Sequence, residues 1–202
     1  MWRFTIFQRL ILGYLTILIV LLCLGGYSVW RLSQLNQIVK SLSAVDSEII
    51  RTANNTKDTL ITQASYEQKF IVSLDEDFYQ QFWLARDFMV KKVNLMDAIL
   101  DGRHNKEPLD QYKKTYGQYL DEAAKEFAWI QHHTPYERQA VDIRKRELIN
   151  SLIGILDDII RTARADMYKK IRLANAIGEQ TVKFTIIATC IAILMALFIA
   201  FF

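Results

Sequence analysis

The chain of 202 residues has few of the residue types that interrupt helices. It contains seven glycines and two prolines, and only four of those glycines lie between residues 31 and 183. Because glycine and proline mark most turns, this scarcity favours long uninterrupted helices. Cysteine is scarcer still. Cys23 and Cys190 are the only two, so residues 31–183 must be held together by packing without disulfides, and no cysteine metal site is expected.

Charge is missing from two segments, 10–30 and 184–202, which contain no Asp, Glu, Lys or Arg. Each has about the twenty residues that a helix needs to cross a bilayer. A cleaved signal peptide is the alternative for the first segment, but the apolar run is too long for one and no obvious small-x-small cleavage site precedes Trp30. We therefore predict two transmembrane helices, at 10–30 and 184–202.

The remaining charges predict the topology. Arg3 and Arg9 precede the first segment and, by the positive-inside rule, place residues 1–9 in the cytoplasm and residues 31–183 outside it. The middle region has 23 basic and 22 acidic residues, a net charge of +1, and the two signs are interspersed. This pattern is typical of solvated helices and gives no reason to expect a nucleic-acid partner.

Apolar residues recur every three or four positions between residues 31 and 183, which predicts helices at about 31–72, 76–101, 108–131 and 135–183. Thr134, Pro135 and Glu137 have the spacing of a capping box at the start of the last helix. The stretch EQKFIVSLDEDFYQQFW (67–83) is interpreted as a helix–turn–helix corner, because no other segment could pair with a strand there. The predicted fold is all-α: an antiparallel up-and-down four-helix bundle whose first and last helices continue into the membrane helices.

Helix lengths also predict a dimer. The first and last helices extend beyond the two middle ones, so near the membrane they run alone at about 31–46 and 168–183. Two lone helices cannot bury an apolar stripe in water, and a homodimer with a four-helix stalk would bury it. The predicted stalk contacts are Leu35, Ile38, Leu42, Ile171 and Ala174.

The stretch YEQKFIVSLDEDFYQQF (66–82) resembles the corner of the extracytoplasmic helical-bundle sensor modules, four-helix-bundle or CHASE3-like, of bacterial sensor histidine kinases and methyl-accepting chemotaxis receptors. The residues with matching character are Glu67, Lys69, Phe70, Asp75, Phe78 and Tyr79. The resemblance implies a two-pass protein of the bacterial inner membrane with a periplasmic domain at 31–183. It also implies that the chain, which stops within the second apolar segment, continues into a HAMP linker and a kinase or chemotaxis domain.

Signatures of enzymes, such as a glycine-rich phosphate loop, HExxH or GxSxG, are absent from the sequence, so we expect no catalysis and no cofactor in this chain. His132 and His133 form the one metal-like pair. Adjacent helical residues point about 100° apart, so surface or capping roles are favoured over a metal site. The histidines could also sense pH, but nothing singles them out.

A ligand site is predicted from the positions at which the first and last helices would face each other. If the first and last helices run antiparallel, opposing residue numbers sum to about 214, which places Arg51 level with Arg161 and Arg164, near Tyr112 and Tyr116. Such a cluster would suit a small anionic ligand. The competing interpretation is that nearby aspartates neutralise these arginines as surface ion pairs.

We expect the chain to be the input region of a sensor histidine kinase, in which binding of a ligand or of a periplasmic binding protein shifts helices across the membrane. The alternatives are a chemotaxis receptor and a non-sensory membrane-tethered spacer or assembly protein.

Overall fold

The computed structural model describes residues 6–41, 45–100 and 106–201. Within these ranges the chain forms five α-helices and no strand, which confirms the all-α class. The helices are α1 (Ile6–Ser41), α2 (Ser47–Ser73), α3 (Glu76–Leu100), α4 (Lys106–Gln131) and α5 (Arg138–Phe201).

The chain divides into two compact units. The helical unit comprises Ser43–Met167, and the terminal unit comprises Met1–Leu42 together with Tyr168–Phe202. Helix α5 contributes residues to both units.

One apolar core fills the helical unit, and α2, α3, α4 and the first part of α5 all contribute to it. Helices α3 and α4 occupy the segments predicted at 76–101 and 108–131, and most of their buried residues are apolar or aromatic. Fully buried side chains from the four helices include Leu60, Phe82, Met96, Tyr119 and Leu156. Burying a side chain of this size contributes roughly 1.5–3 kcal/mol each.

Two ion pairs join α2 to α5. Lys57 Nζ lies 2.8 Å from Asp157, and Glu67 pairs with Lys145. Lys57 precedes Glu67 on α2, whereas on α5 their partners occur in the opposite order, Lys145 before Asp157. The paired residue numbers sum to 214 and 212, close to the register expected from the sequence.

The helix–turn–helix corner lies where it was predicted, between α2 and α3. Leu74 adopts a left-handed conformation (φ 55°), and its N–H donates to the Phe70 carbonyl at 2.8 Å, which closes α2. Asp75 Oδ1 accepts the Asp77 N–H at 3.0 Å and so caps α3. Ser73 Oγ accepts the Asp75 N–H at 3.2 Å.

The predicted capping box at the start of α5 is wrong. The helix begins at Arg138, so Thr134, Pro135 and Glu137 precede it. The reason lies in the end of α4: His133 is left-handed (φ 53°), and the Thr134 N–H donates to the Trp129 carbonyl at 2.8 Å. This is the 6→1 bond of a Schellman-type ending, which commits Thr134 to closing α4.

The prediction of one helix over 31–72 is not confirmed, because α1 ends at Ser41 and α2 begins at Ser47. Val45 and Asp46 lie in a wider π-type turn. Asp46 is 2% exposed and precedes α2 without a side-chain capping bond.

In the terminal unit, the Tyr27 and Phe184 rings lie 4.4 Å apart. Helices α1 and α5 are both long and apolar enough to cross a membrane. Of the predicted stalk residues, Leu35 is half-buried, Ala174 is buried and Ile171 is 37% exposed. Leu42 and the side chain of Ile38 lie outside the described residues.

Candidate functional site

Three charged side chains are buried together in the helical unit. Lys145 of α5 donates hydrogen bonds to Glu67 of α2 and to Glu126 of α4. Two tyrosines complete this set, which we call the buried charge cluster: Tyr119 donates to Glu67, and Tyr136, in the loop before α5, donates to Glu126 at 2.8 Å. Three helices therefore meet at one ammonium group, and the loop before α5 joins them through the bond from Tyr136 to Glu126.

Helical spacing explains why these polar residues face the core. Glu67 lies one turn from Gln63 and Phe70, on the buried face of α2. Tyr119 and Glu126 belong to the buried face of α4, and Lys145 follows the buried Val141 by four residues. Charged residues thus occupy positions at which the helical period predicts apolar residues.

Burial and charge act in opposite directions within the buried charge cluster. Burial raises the pKa of Glu67, although Lys145 and Tyr119 partly oppose this shift. Burial alone would lower the pKa of Lys145, but Glu67 and Glu126 together outweigh it and raise that pKa. Burial, reinforced by Glu67, raises the pKa of Tyr119 well above its ordinary value. The cluster therefore favours a protonated Lys145 and opposes ionisation of Glu67.

A cleft of about 500 Å³ opens over this cluster, between the second half of α2 and the start of α5. Volumes of this size are usual for small-molecule sites. Its lining comprises Ala64, Glu67, Gln68, Ile71, Val72, Glu126, Arg138, Gln139, Asp142, Lys145, Arg146 and Ile149. Glu67, Glu126 and Lys145 are 1–4% exposed and form the floor, whereas Arg138 and Arg146 are exposed at the rim.

The rim arginines differ in their pairing. Arg146 pairs with Asp142, one turn away on the same helix. Arg138 makes no ion pair within the part of the chain that the structure describes. One guanidinium of the cleft is thus available to a ligand.

The arginines predicted as a ligand site are paired locally. Arg51 binds Glu48 at 2.7 Å and Arg161 binds Asp158 at 2.8 Å, each within its own helix. Arg51, Arg161 and Arg164 are all exposed. Their role in ligand binding stays a prediction.

The two tyrosines of that predicted site are core residues. Their rings stack with centroids 5.9 Å apart. The Tyr112 hydroxyl lies 3.2 Å from Met89 Sδ, and the Tyr116 hydroxyl donates to Gln63 Oε1 at 2.9 Å. Burial raises the pKa of both hydroxyls, so both stay neutral donors.

Both histidines of the loop before α5 are exposed, and His133 Nδ1 lies 3.2 Å from the Ile130 carbonyl. No group of three or more metal-ligating side chains occurs among the described residues.

Sequence reasoning missed the buried charge cluster. Glu126 and Lys145 were counted among the solvated charges, and Glu67 was noted only for its resemblance to a sensor-module corner. A usable signal existed, because Glu67 continues the apolar spacing of Leu60 and Phe70. No protein-family model, no curated protein and no solved structure matches the chain, so the site is interpreted from its own residues.

Proposed function

We propose that the chain is the input region of a bacterial transmembrane receptor, with the output of a sensor histidine kinase or, alternatively, a chemotaxis receptor. In this proposal α1 and the last part of α5 cross the inner membrane, and the helical unit lies outside the cytoplasm as an antiparallel four-helix bundle. The cleft over the buried charge cluster is its ligand site, and a homodimer carries the signal.

One observation carries the proposal: the chain combines two apolar helices with a separate helical unit that encloses its own core and a charged cleft. Helices α1 and α5 are long and apolar enough to span a bilayer. Leu22, Val29, Ile187 and Leu194 on them are at least 59% exposed, as lipid-facing residues would be. The reversed order of the Lys57–Asp157 and Glu67–Lys145 pairs supports antiparallel packing of α2 against α5.

The proposed mechanism uses the position of the cleft. Its lining comes mainly from α2 and α5, and α5 contributes to both units. A ligand that binds one packing of these helices better than another shifts the equilibrium between them. Displacement of α5 relative to α2 then carries the signal towards the membrane.

Cysteine labelling tests the topology. In a Cys23→Ser, Cys190→Ser background, Lys114→Cys on the exposed surface of α4 should react with a membrane-impermeant maleimide in intact spheroplasts. Gln8→Cys should react only after permeabilisation. Protection of Lys114→Cys in intact spheroplasts would rule out an extracytoplasmic sensor.

Cysteine crosslinking tests the dimer. Leu35→Cys in the same background should form a disulfide-linked dimer in membranes under mild oxidation, and Lys114→Cys serves as the surface control. Equal crosslinking of the two would remove the support for a specific stalk interface.

A second candidate function is a membrane-tethered assembly protein. Leu84, Phe88 and Leu95 lie on one face of α3 and are 42–58% exposed, as a protein-binding face could be. The substitutions Leu84→Glu and Phe88→Glu add negative charge to this face. They should abolish assembly if the chain is an assembly protein, and should leave the ligand response intact if it is a sensor.

A further inference from the structure

Helix α3 has apolar side chains on two opposite faces. The buried residues of its core face are Phe82, Met89, Val93, Met96 and Leu100, which are 0–5% exposed. Leu84 follows Phe82 by two residues, which turns it about 200° around the helix. Leu84, Phe88 and Leu95 are 42–58% exposed. The outer face of α3 is therefore apolar where a solvated helix would carry polar residues, and exposed apolar patches usually mark contacts.

The outer face of α3 has the spacing of a coiled-coil seam. Alternating steps of four and three residues, which correspond to the a and d positions of a heptad, define a line of exposed residues: Asp77, Gln81, Leu84, Phe88, Lys91, Leu95 and Ala98. We call this line the α3 seam. Two helices that carry apolar residues at such positions bury them by packing side by side. The spacing of the α3 seam therefore fits a second helix as its partner.

The charges beside the α3 seam match a second copy of the same helix that runs in the same direction. Asp87 flanks the seam at a g position, and Lys92 flanks it at an e position, five residues further along the chain. In a parallel pair of coiled helices, a g residue of one chain faces the e residue of the next heptad in the other chain. Asp87 of each copy would then face Lys92 of the other. The two-fold symmetry of such a dimer forms this ion pair twice.

Both flanking charges can take part in such ion pairs. Asp87 pairs with the adjacent Arg86 at 2.6 Å, but 56% of its side chain is exposed and its carboxylate can accept further hydrogen bonds. Lys92 makes no ion pair within the residues that the structure describes. Its Nζ lies 5.2 Å from the centroid of the exposed Phe88 ring. Pairing would exchange this contact for a carboxylate and leave the Phe88 ring to pack against its counterpart.

An antiparallel pair of these helices lacks those ion pairs, because equivalent flanks then face each other. With the apolar residues aligned in that direction, Asp87 would lie near Asn94 of the second copy and not near Lys92. In the parallel pair, Lys91 would meet its own counterpart within the seam. A single polar residue at a seam position fixes the register at a cost in stability. We therefore expect a parallel association that is specific but weak.

We propose that the α3 seam is a self-association surface through which the helical units of two copies pair in parallel. Leu84, Phe88 and Leu95 form the apolar part of the contact, and ion pairs between Asp87 and Lys92 flank it. This contact is separate from the predicted stalk, whose residues belong to the terminal unit. The inference goes beyond the proposed function and does not rest on it, because a sensor and an assembly protein could both pair in this way.

Cysteine crosslinking of the full chain in isolated membranes tests the pairing and its direction. In the Cys23→Ser, Cys190→Ser background, Gln81→Cys and Ala98→Cys place thiols at opposite ends of the α3 seam, about 25 Å apart along the helix. Under mild oxidation each variant should form a disulfide-linked dimer at least about tenfold faster than Lys114→Cys on α4, because pairing raises the local concentration of the two thiols. A mixture of Gln81→Cys and Ala98→Cys chains with different tags should form no mixed dimer.

Two outcomes of the crosslinking would overturn the proposal. If the mixed dimer forms and the same-residue dimers do not, the helices pair in the antiparallel direction. If both seam cysteines react no faster than Lys114→Cys, the α3 seam does not bind a second copy. Failure of the labelling experiment above, by contrast, removes the receptor topology and leaves these results unchanged, because the oxidant reaches both sides of isolated membranes.

Charge reversal tests the flanking ion pairs, with Ala98→Cys as the reporter. Asp87→Lys sets lysine against lysine across the seam, and Lys92→Asp sets aspartate against aspartate, so each should slow crosslinking about threefold to tenfold. The double variant restores opposite charges in exchanged places and should recover the parent rate. Lys114→Asp makes the same kind of change on the exposed surface of α4 and should have no effect. Loss of crosslinking in the double variant as well, or no effect of either single reversal, contradicts the parallel arrangement.

Lys91→Leu tests the seam by strengthening it. The substitution replaces two facing lysines with two leucines, so crosslinking through Ala98→Cys should become about tenfold faster or more. Lys114→Leu adds the same exposed leucine outside the seam and should leave the rate unchanged. Equal gains in the two variants would show general association of apolar surfaces and contradict the assignment. Circular dichroism shows whether each variant keeps its helices, and the exposure of Lys91 and Lys114 favours normal folding.

Discussion

Two sets of charged residues in the helical unit have opposite environments. Arg51 and Arg161 hold carboxylates of their own helices with 65% and 79% of their side chains exposed. Glu67, Glu126 and Lys145 join three helices and are 1–4% exposed. The first set was predicted as a site because the expected register places its residues at one level, whereas the second set is brought together from three helices by the fold.

The difference shows what a register argument leaves out. A sum of residue numbers gives the height of a residue on a helix but not the direction in which its side chain points. Direction follows from the 3.6-residue period, and Glu67 lies in phase with Leu60 and Phe70. Burial then determines how much an ion pair matters for the free energy of unfolding, because exposed ion pairs contribute little and buried charges are costly to leave unpaired.

The largest expected effect comes from Lys145→Met. It leaves Glu67 and Glu126 buried without their cation, so we expect a loss of about 3–5 kcal/mol in the free energy of unfolding at pH 7. Urea denaturation of the detergent-solubilised chain measures this loss by tryptophan fluorescence, since Trp83 packs against Phe127 in the core.

Lys57→Met is the matched control for that prediction. It removes a cross-helix lysine from a partly exposed pair with Asp157 and should cost about 0–1 kcal/mol. Equal losses for the two variants would show that burial does not distinguish the two kinds of ion pair.

A smaller loss is expected from Tyr119→Phe. The substitution removes only the hydroxyl that donates to Glu67, while the ring remains to fill the core. A hydrogen bond to a charged group contributes about 1.5–3 kcal/mol, which sets the expected decrease in the free energy of unfolding. Tyr66→Phe, at a partly buried tyrosine of α2 that lies against Phe78, provides the control and should change it less. If Tyr66→Phe lowered the free energy of unfolding more than Tyr119→Phe, the Tyr119–Glu67 hydrogen bond would not be the stabilising contact expected here.

Much of the fold follows from the sequence because helical period and turn chemistry are local. The α2–α3 corner and the extents of α3 and α4 are examples. The start of α5 was missed because Thr134 serves the end of the preceding helix, and two neighbouring ends compete for the same residues. The buried charge cluster was missed because Lys145 is acceptable in the core only beside Glu67 and Glu126, which lie on other helices.

The pH dependence of stability should separate Glu67 from exposed carboxylates. Burial raises its folded-state pKa above the ordinary value near 4.5, so the folded state holds this proton more tightly than the unfolded state. The stability that Glu67 contributes is thus complete below pH 4.5 and is lost as the pH rises through the raised value. Glu67→Gln should remove this part of the decline in the urea midpoint between pH 4 and 8, although Glu126, Lys145 and Tyr119 also face the site. An unchanged pH profile in the variant would mean that Glu67 stays ionised in the folded protein.

The smallest effect is expected from Arg51→Gln and Arg161→Gln, singly or together. Both guanidinium groups pair with carboxylates three residues away in their own helix, on the exposed surface. We therefore expect the urea midpoint of each variant to match that of the parent chain within error. A loss of stability in the double variant as large as that in Lys145→Met would reverse the comparison, because exposed ion pairs within one helix would then carry as much stability as the buried charge cluster.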